Sequence, residues 1–237
     1  MDVWAILPVK SLFESKGRLA HLLSPESRAR LVRNLLDHVL ATIEEMPRIT
    51  RVLVISSDRD VWQIAEAYGA EAVPEKMPYG LNSAVSHAYG LAAEGGADAV
   101  LILPADLPFI TTADINLMID AGLGDGGGNG TGAVPALAFA PSLAAAVDPA
   151  QPVMAICTDR RGDGTNALLL RPSLDFDFRY GANSFQKHIQ EAIERNYLVR
   201  VVNAPGLQFD LDTEKDWQMF QGDERSKPIM DFSNSPI

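Results

Sequence analysis

The sequence predicts a single α/β domain built on a mainly parallel, doubly wound sheet. Three observations carry that prediction. Apolar runs of strand length, Val3–Leu7, Val52–Ile55 and Val100–Leu103, lack polar alternation, the pattern of strands covered on both faces. Amphipathic segments at helical spacing separate them, in strand–helix–strand order. The chain has 237 residues, 47% hydrophobic and 22% charged, enough for one sizeable core.

The elements follow in order. Val3–Leu7 reads as the first strand, with Pro8 at its end. The loop behind it carries three cations, Lys10, Lys16 and Arg18. In open α/β sheets ligands bind outside the carboxyl ends of the strands, so this loop points to an anion site, most simply a triphosphate. Ser24-Pro25 is a helix start, a capping residue followed by proline at the first helical position. Leu31, Leu35, Val39 and Ile43 make the apolar stripe of that helix, and His38 sits among its core positions. Arg51–Ile55 is the second strand, Val61–Tyr68 a helix stopped by Gly69, and Glu71–Val73 a short third strand. Gly80-Leu81-Asn82 then opens a helix running to about Glu94. Gly80 lets a backbone approach a ligand closely. Asn82 is either a reader of base or ribose or a helix cap.

The stretch Val100–Pro108 is the centre of the pattern. A buried strand runs into Pro104-Ala105-Asp106-Leu107-Pro108, where two prolines fix the backbone around one carboxylate. Asp106 there is a candidate ligand for Mg²⁺, which takes oxygen donors and usually one or two carboxylates. The alternative, a helix cap, is better filled by Thr111 with Asp114 as a capping box, ahead of a helix from about Thr112 to Ala121. Gly122–Gly132 reads as a glycine-rich, flexible linker and Ala133–Pro152 as an alanine- and proline-rich stretch, with a short surface helix placed within Ser142–Val147. The glycines do not have phosphate-loop spacing.

Order returns with a strand at Val153–Cys157. A tight Gly162-Asp163-Gly164 turn presents Thr165 and Asn166 before another apolar strand. Gly181 and Ser184 precede a helix whose N-terminus can hold an anion. Together these two elements outline a pocket for a small acidic substrate. His188 follows on that helix without a convincing base partner. Val199–Val202 is another strand. Asp210 and Asp212 stand two residues apart before a final helix, on the same side of an extended segment, and are natural partners of Asp106 around a cation. Asp212 or Thr213 also reads as a helix cap, and both readings can hold. From Gly222 the polar composition reads as a mobile tail, so the domain is placed at 1–221 and the tail at 222–237.

The net charge of −11 excludes broad affinity for nucleic acid. The single cysteine, Cys157, excludes an internal disulfide and any multi-cysteine metal site. No apolar run reaches membrane-spanning length, and no signal segment is recognisable at Met1–Trp4. A cytoplasmic protein without membrane partners is expected. A homodimer is compatible with the sequence but not required by it.

These motifs together resemble the 2-phospho-L-lactate/phosphoenolpyruvate guanylyltransferase family of coenzyme F-420 biosynthesis. The match runs through Leu7-Pro8-Val9-Lys10, Lys16-Gly17-Arg18-Leu19, Gly80-Leu81-Asn82 and Pro104–Pro108. It continues through Gly162–Leu169, Phe178–Phe185 and Asp210-Leu211-Asp212-Thr213, from about residue 3 to about 220. The resemblance implies a nucleotide-diphospho-sugar transferase-like (Rossmann-like) fold, with 122–152 as an insertion. It implies that Lys10, Lys16 and Arg18 bind the phosphates of GTP, and that Pro8, Val9, Gly80 and Asn82 line the guanosine site. Asp106 and Lys16 would be catalytic, with Mg²⁺ on Asp106 and on Asp210 or Asp212. Thr165, Gly181 and Ser184 would hold the phosphorylated three-carbon acid: phosphoenolpyruvate first, 2-phospho-L-lactate or 3-phospho-D-glycerate as alternatives. A transferase using CTP or a sugar phosphate would be expected to carry a glycine-rich first loop, which Pro8–Leu12 is not. A non-catalytic nucleotide-binding protein is the alternative from another class.

Overall fold

The computed structural model describes residues 1–77, 79–124, 133–134, 151–172 and 175–231. The elements alternate as the sequence predicts: β1 (Val3–Pro8), α1 (Pro25–Glu44), β2 (Ile49–Ser56), α2 (Arg59–Ala67), β3 (Glu71–Pro74), α3 (Leu81–Glu94), β4 (Ala99–Ile102) and α4 (Thr112–Leu123). The second half follows with β5 (Ala133–Val134), β6 (Val153–Thr158), β7 (Thr165–Arg171), α5 (Ser184–Glu194), β8 (Leu198–Val202), α6 (Pro205–Gln208), α7 (Glu214–Gly222) and α8 (Lys227–Met230). Strand order across the sheet is β3-β2-β1-β4-β7-β6-β8-β5. Six strands point the same way. Among the described residues only β7 and β5 run against them, through antiparallel pairings to β4, β6 and β8. Because β7 is reversed, its first residue, Thr165, arrives at the edge of the sheet where the parallel strands end.

Strand alternation divides the core into two layers. Val3, Ala5 and Leu7 of β1 face the α1, α2 and α4 side with Val54, Leu101 and Leu169, while Trp4 and Ile6 face α3 with Ile55, Ile102 and Leu168. The helix starts obey local chemistry. Ser24 caps α1 by accepting from the Ser27 N–H, and Thr111–Asp114 and Thr213–Asp216 close reciprocal capping boxes on α4 and α7. At Gly122, inside α4, an added Cβ would come within 2.1 Å of the Leu169 side chain, which would have to shift.

A third apolar cluster, of Leu19, Leu31, Leu35, Phe109, Phe209, Leu211, Trp217, Phe220 and Ile229, lies beneath the loops at the carboxyl edge of the sheet. It clamps the segments that carry Lys16, Asp106 and Asp212.

Two expectations are corrected here. Residues 222–231 are not a free tail: Ile229 is buried in that cluster, and the Asn34 side chain donates to the Ile229 carbonyl at 2.7 Å. Two isolated apolar residues in a charged stretch hid this. The glycine-rich break begins after Leu123, with Gly124 as a left-handed C-cap, and Ala133–Val134 pair with β8. The surface helix placed within Ser142–Val147, and residues 232–237, lie outside the described residues.

Candidate active site

A cavity of about 460 Å³ opens at the carboxyl ends of the parallel strands. The loop after β1 brings Pro8, Val9, Lys10, Lys16 and Arg18, the start of α3 brings Gly80, the loop after β4 brings Asp106, and the segment before α7 brings Asp212. These include every residue singled out for nucleotide binding except Asn82. The strand ends deliver them because each loop turns over the same edge. Val9 is tied to β2 through its N–H to the Ile55 carbonyl at 2.9 Å.

Lys16 is the hub. Its Nζ donates to Asp106 Oδ2 at 2.5 Å and to Asp212 Oδ1 at 2.8 Å, and only 6% of its side chain is exposed. Its backbone is left-handed, φ 56°, a conformation non-glycine residues adopt rarely and functional loops disproportionately. Burial alone would lower the lysine pKa, but the charges of Asp106 and Asp212 outweigh it and raise the value above the ordinary one. Burial pushes Asp212 up, and the attraction of Lys16 reverses this and holds its carboxyl below the usual range. Lys16 is therefore a charged ammonium at neutral pH.

Of the two carboxylates expected as alternative partners of Asp106, Asp212 is the one that shares Lys16 with it. Asp210 lies outside the cavity lining. Its carboxylate accepts from the Asn166 side chain at 3.3 Å, and its pKa is raised by burial and then by the charges of Asp106 and Asp212. Among the described residues no three His, Cys, Asp or Glu side chains converge on a metal position. The donor set still fits a hard divalent cation. Two carboxylate oxygens converge on one point that a cation, the Lys16 ammonium, holds in this structure, and Mg²⁺ commonly takes no more protein ligands than two carboxylates.

Asn82 does not cap α3, whose N-cap is Gly80 at φ 129°. Its Oδ1 accepts from the Tyr180 N–H at 2.7 Å and its Nδ2 donates to the Tyr180 carbonyl at 3.3 Å. The amide is thus spent on the backbone next to Gly181, joining the nucleotide side of the site to the expected acid pocket. Glu75 went unnoticed in the sequence. It follows β3 directly, lines the cavity and accepts from the Gly80 N–H at 2.8 Å, and its place just past a strand end was the available signal.

Thr165 and Ser184 are both buried, and Gly181 is left-handed at φ 118°. Thr165 Oγ1 lies 3.0 Å from His188 Nδ1 on α5. None of the three lines the cavity. The expectation that the N-terminus of α5 is open to an anion is corrected, because Asp163 already takes the N–H groups of Asn183 and Phe185, at 3.0 and 3.1 Å. The hydroxyls, rather than the helix end, remain as candidate acid contacts. Cys157 is fully buried in the core, and burial pushes its thiol up to about 11, so it is inert.

The model of the family described as "Guanylyl transferase CofC like" matches residues 3–125 and 143–227. The chain belongs to that family. Its unmatched gap, 126–142, falls inside the glycine- and proline-rich stretch. The phosphoenolpyruvate guanylyltransferase of Rubrobacter xylanophilus is 36% identical over 91% of this chain and 92% of its own length. The 2-phospho-L-lactate guanylyltransferase of Methanothermobacter thermautotrophicus is 32% identical over 91% and 82%. A crystal structure described as a nucleotide-diphospho-sugar transferase, from Desulfovibrio desulfuricans, superposes with a TM-score of 0.68, covering 97% of this chain and 94% of the other at 16% identity. The fold is that of the nucleotide-diphospho-sugar transferases, and family membership places the chain among the nucleotidyltransferases. Among the described residues no helix is long and apolar enough to cross a membrane.

Proposed function

We propose that the protein is a cytoplasmic guanylyltransferase joining GMP from GTP to phosphoenolpyruvate, giving enolpyruvoyl-2-diphospho-5'-guanosine and pyrophosphate for coenzyme F-420 biosynthesis. The observation that carries the reading is the buried Lys16 ammonium, held between Asp106 and Asp212 at the mouth of a cavity also lined by Lys10 and Arg18. A phosphate oxygen of the acid attacks the α-phosphorus of GTP, a new P–O bond forms, and the bond to the β-phosphate oxygen breaks. The second pKa of a phosphate monoester is about 6, so the nucleophile is already largely ionised and no general base is needed. The obstacle is bringing two anions together.

Lys10, Lys16 and Arg18 would neutralise the triphosphate, and Lys16, already buried and oriented, loses little freedom in doing so. Asp106 and Asp212 would hold Mg²⁺, which when bound supplies charge neutralisation at the reacting phosphates. Pro8, Val9 and Gly80 would seat the guanosine, with Asn82 fixing the wall between the two substrates. Thr165, Gly181 and Ser184 would hold the acid.

A second acceptor, 2-phospho-L-lactate, is favoured by the name of the Methanothermobacter relative, and 3-phospho-D-glycerate presents the same groups. The test is pyrophosphate release with Mg²⁺ and GTP, offering each acid separately, with CTP and ATP as controls. Release with GTP and phosphoenolpyruvate is expected. Release with one of the other acids would rename the acceptor, and GTP binding without release under any acid would favour the non-catalytic alternative.

A further inference from the structure

His188 is fully buried, beneath the rings of Phe176, Phe178 and Tyr180, with the Tyr180 centroid 4.7 Å away. It cannot touch a substrate. Both of its ring nitrogens are nonetheless engaged. Nε2 lies 3.0 Å from the backbone nitrogen of Arg179, and Nδ1 lies 3.0 Å from Thr165 Oγ1. A backbone N–H only donates, so Nε2 must be the acceptor and carry no proton. A neutral imidazole then has its proton on Nδ1, and that proton is donated to Thr165. The hydroxyl is left as an acceptor toward His188, with its own single proton free to point elsewhere.

We infer that His188 is a positioning residue for acceptor binding: its Nδ1–H turns the Thr165 hydroxyl into an obligate donor toward the anionic acid. A free hydroxyl rotor can present either a lone pair or a proton to a ligand, and only the proton helps with a phosphate or carboxylate. Fixing the donor in advance removes the unproductive orientation. The helix supports this geometry. Ser184 and His188 are one turn apart on α5 and share a face, so the same element supplies a second hydroxyl of the pocket and the group that orients the first. Protonation of the ring would set an Nε2–H against the Arg179 N–H. Burial, and then the nearby charges of Arg179 and Lys187, lower the imidazole pKa to about 4, so the neutral form persists through the physiological range.

This role rests on the proposed acceptor binding by Thr165, so its test has one arm independent of turnover. NMR of the ¹⁵N-histidine-labelled protein, read at the ring nitrogens, should show His188 as the Nδ1–H tautomer; the Nε2–H tautomer would overturn the inference. The second arm compares two variants. His188→Gln places its amide near Nε2 and loses the donor to Thr165, whereas His188→Asn places its amide near Nδ1 and keeps one. The Gln variant should raise KM for the acid by about tenfold more than the Asn variant, with KM for GTP changing alike in both. Equal acid KM values in the two variants, or parallel losses for acid and GTP, would reduce His188 to a packing residue. Failure of the wild-type protein to release pyrophosphate with any acid is a different result; it would remove the acceptor site and this role with it, whatever tautomer is measured.

Discussion

Lys16→Met removes the one charge that two carboxylates share, and its consequences can be worked through. The lysine side chain is 6% exposed, while Asp106 and Asp212 keep 27% and 43% exposure. Breaking a fully buried ion pair costs about 3–5 kcal/mol, and an exposed pair is worth less than about 1 kcal/mol. With the cation buried and both anions partly open, the loss should fall between these limits, at about 2 kcal/mol. In a chain of this length that lowers Tm by about 4–8 °C. Asp212 has a depressed pKa, so its contribution is present above the ordinary value of 3.8 and lost as pH falls through the folded one. Lys16 has a raised pKa, so its contribution is complete below its ordinary 10.5 and constant through neutrality. The wild-type advantage should therefore be full at about pH 7 and shrink only in acid, below 3.8, as pH falls through the folded value of Asp212. Turnover should fall by about 10²–10³, as for loss of one preorganised electrostatic contact. Thermal melts at neutral and acid pH and steady-state pyrophosphate release read these effects separately. A wild-type kcat would show that Lys16 is only a counter-ion to its carboxylates, and an unchanged melt at neutral pH would show that the pair contributes nothing to folding.

Other substitutions divide the site. Asp106→Asn and Asp212→Asn should each lower kcat by about 10²-fold or more with the fold intact by circular dichroism, while Asp210→Asn should cost far less; equal losses at 210 and 212 would return Asp210 to the metal site. Thr165→Val should raise KM for the acid by about tenfold and leave KM for GTP nearly unchanged, and losses shared by both substrates would argue against an acid pocket. Asn82→Ala removes two hydrogen bonds to Tyr180, so it should cost about 1–3 kcal/mol in denaturant unfolding and raise KM for the acid more than for GTP. A change confined to GTP would make Asn82 a nucleotide contact instead.

Much of the fold was legible because it is local chemistry. Ser24-Pro25 and the Thr111–Asp114 and Thr213–Asp216 boxes each work through neighbours a few residues away. The apolar runs of β1, β2 and β4 need only their own length and composition to read as buried strands. The cations after β1 and the carboxylate after β4 were equally readable, since strand ends in such a sheet converge on one edge. What the sequence by itself determined was therefore the order of the elements and the residue types delivered to that edge.

Which of those residues meet was decided only by tertiary structure. Lys16 finds Asp106 across 90 residues and Asp212 across 196, and no local spacing distinguishes Asp212 from Asp210, whose carboxylate turns to Asn166. The reversal of β7, which brings Thr165 to the strand-end edge, depends on its pairing with β4 and β6. The pairing of Asn82 with Tyr180 spans 98 residues, and the burial of Ile229 depends on a cluster drawn from five separate segments. The tautomer of His188 follows from a backbone N–H and a hydroxyl that only the folded chain places on its two sides. Local rules act through a few covalent links, whereas these contacts are chosen by which surfaces the core buries together.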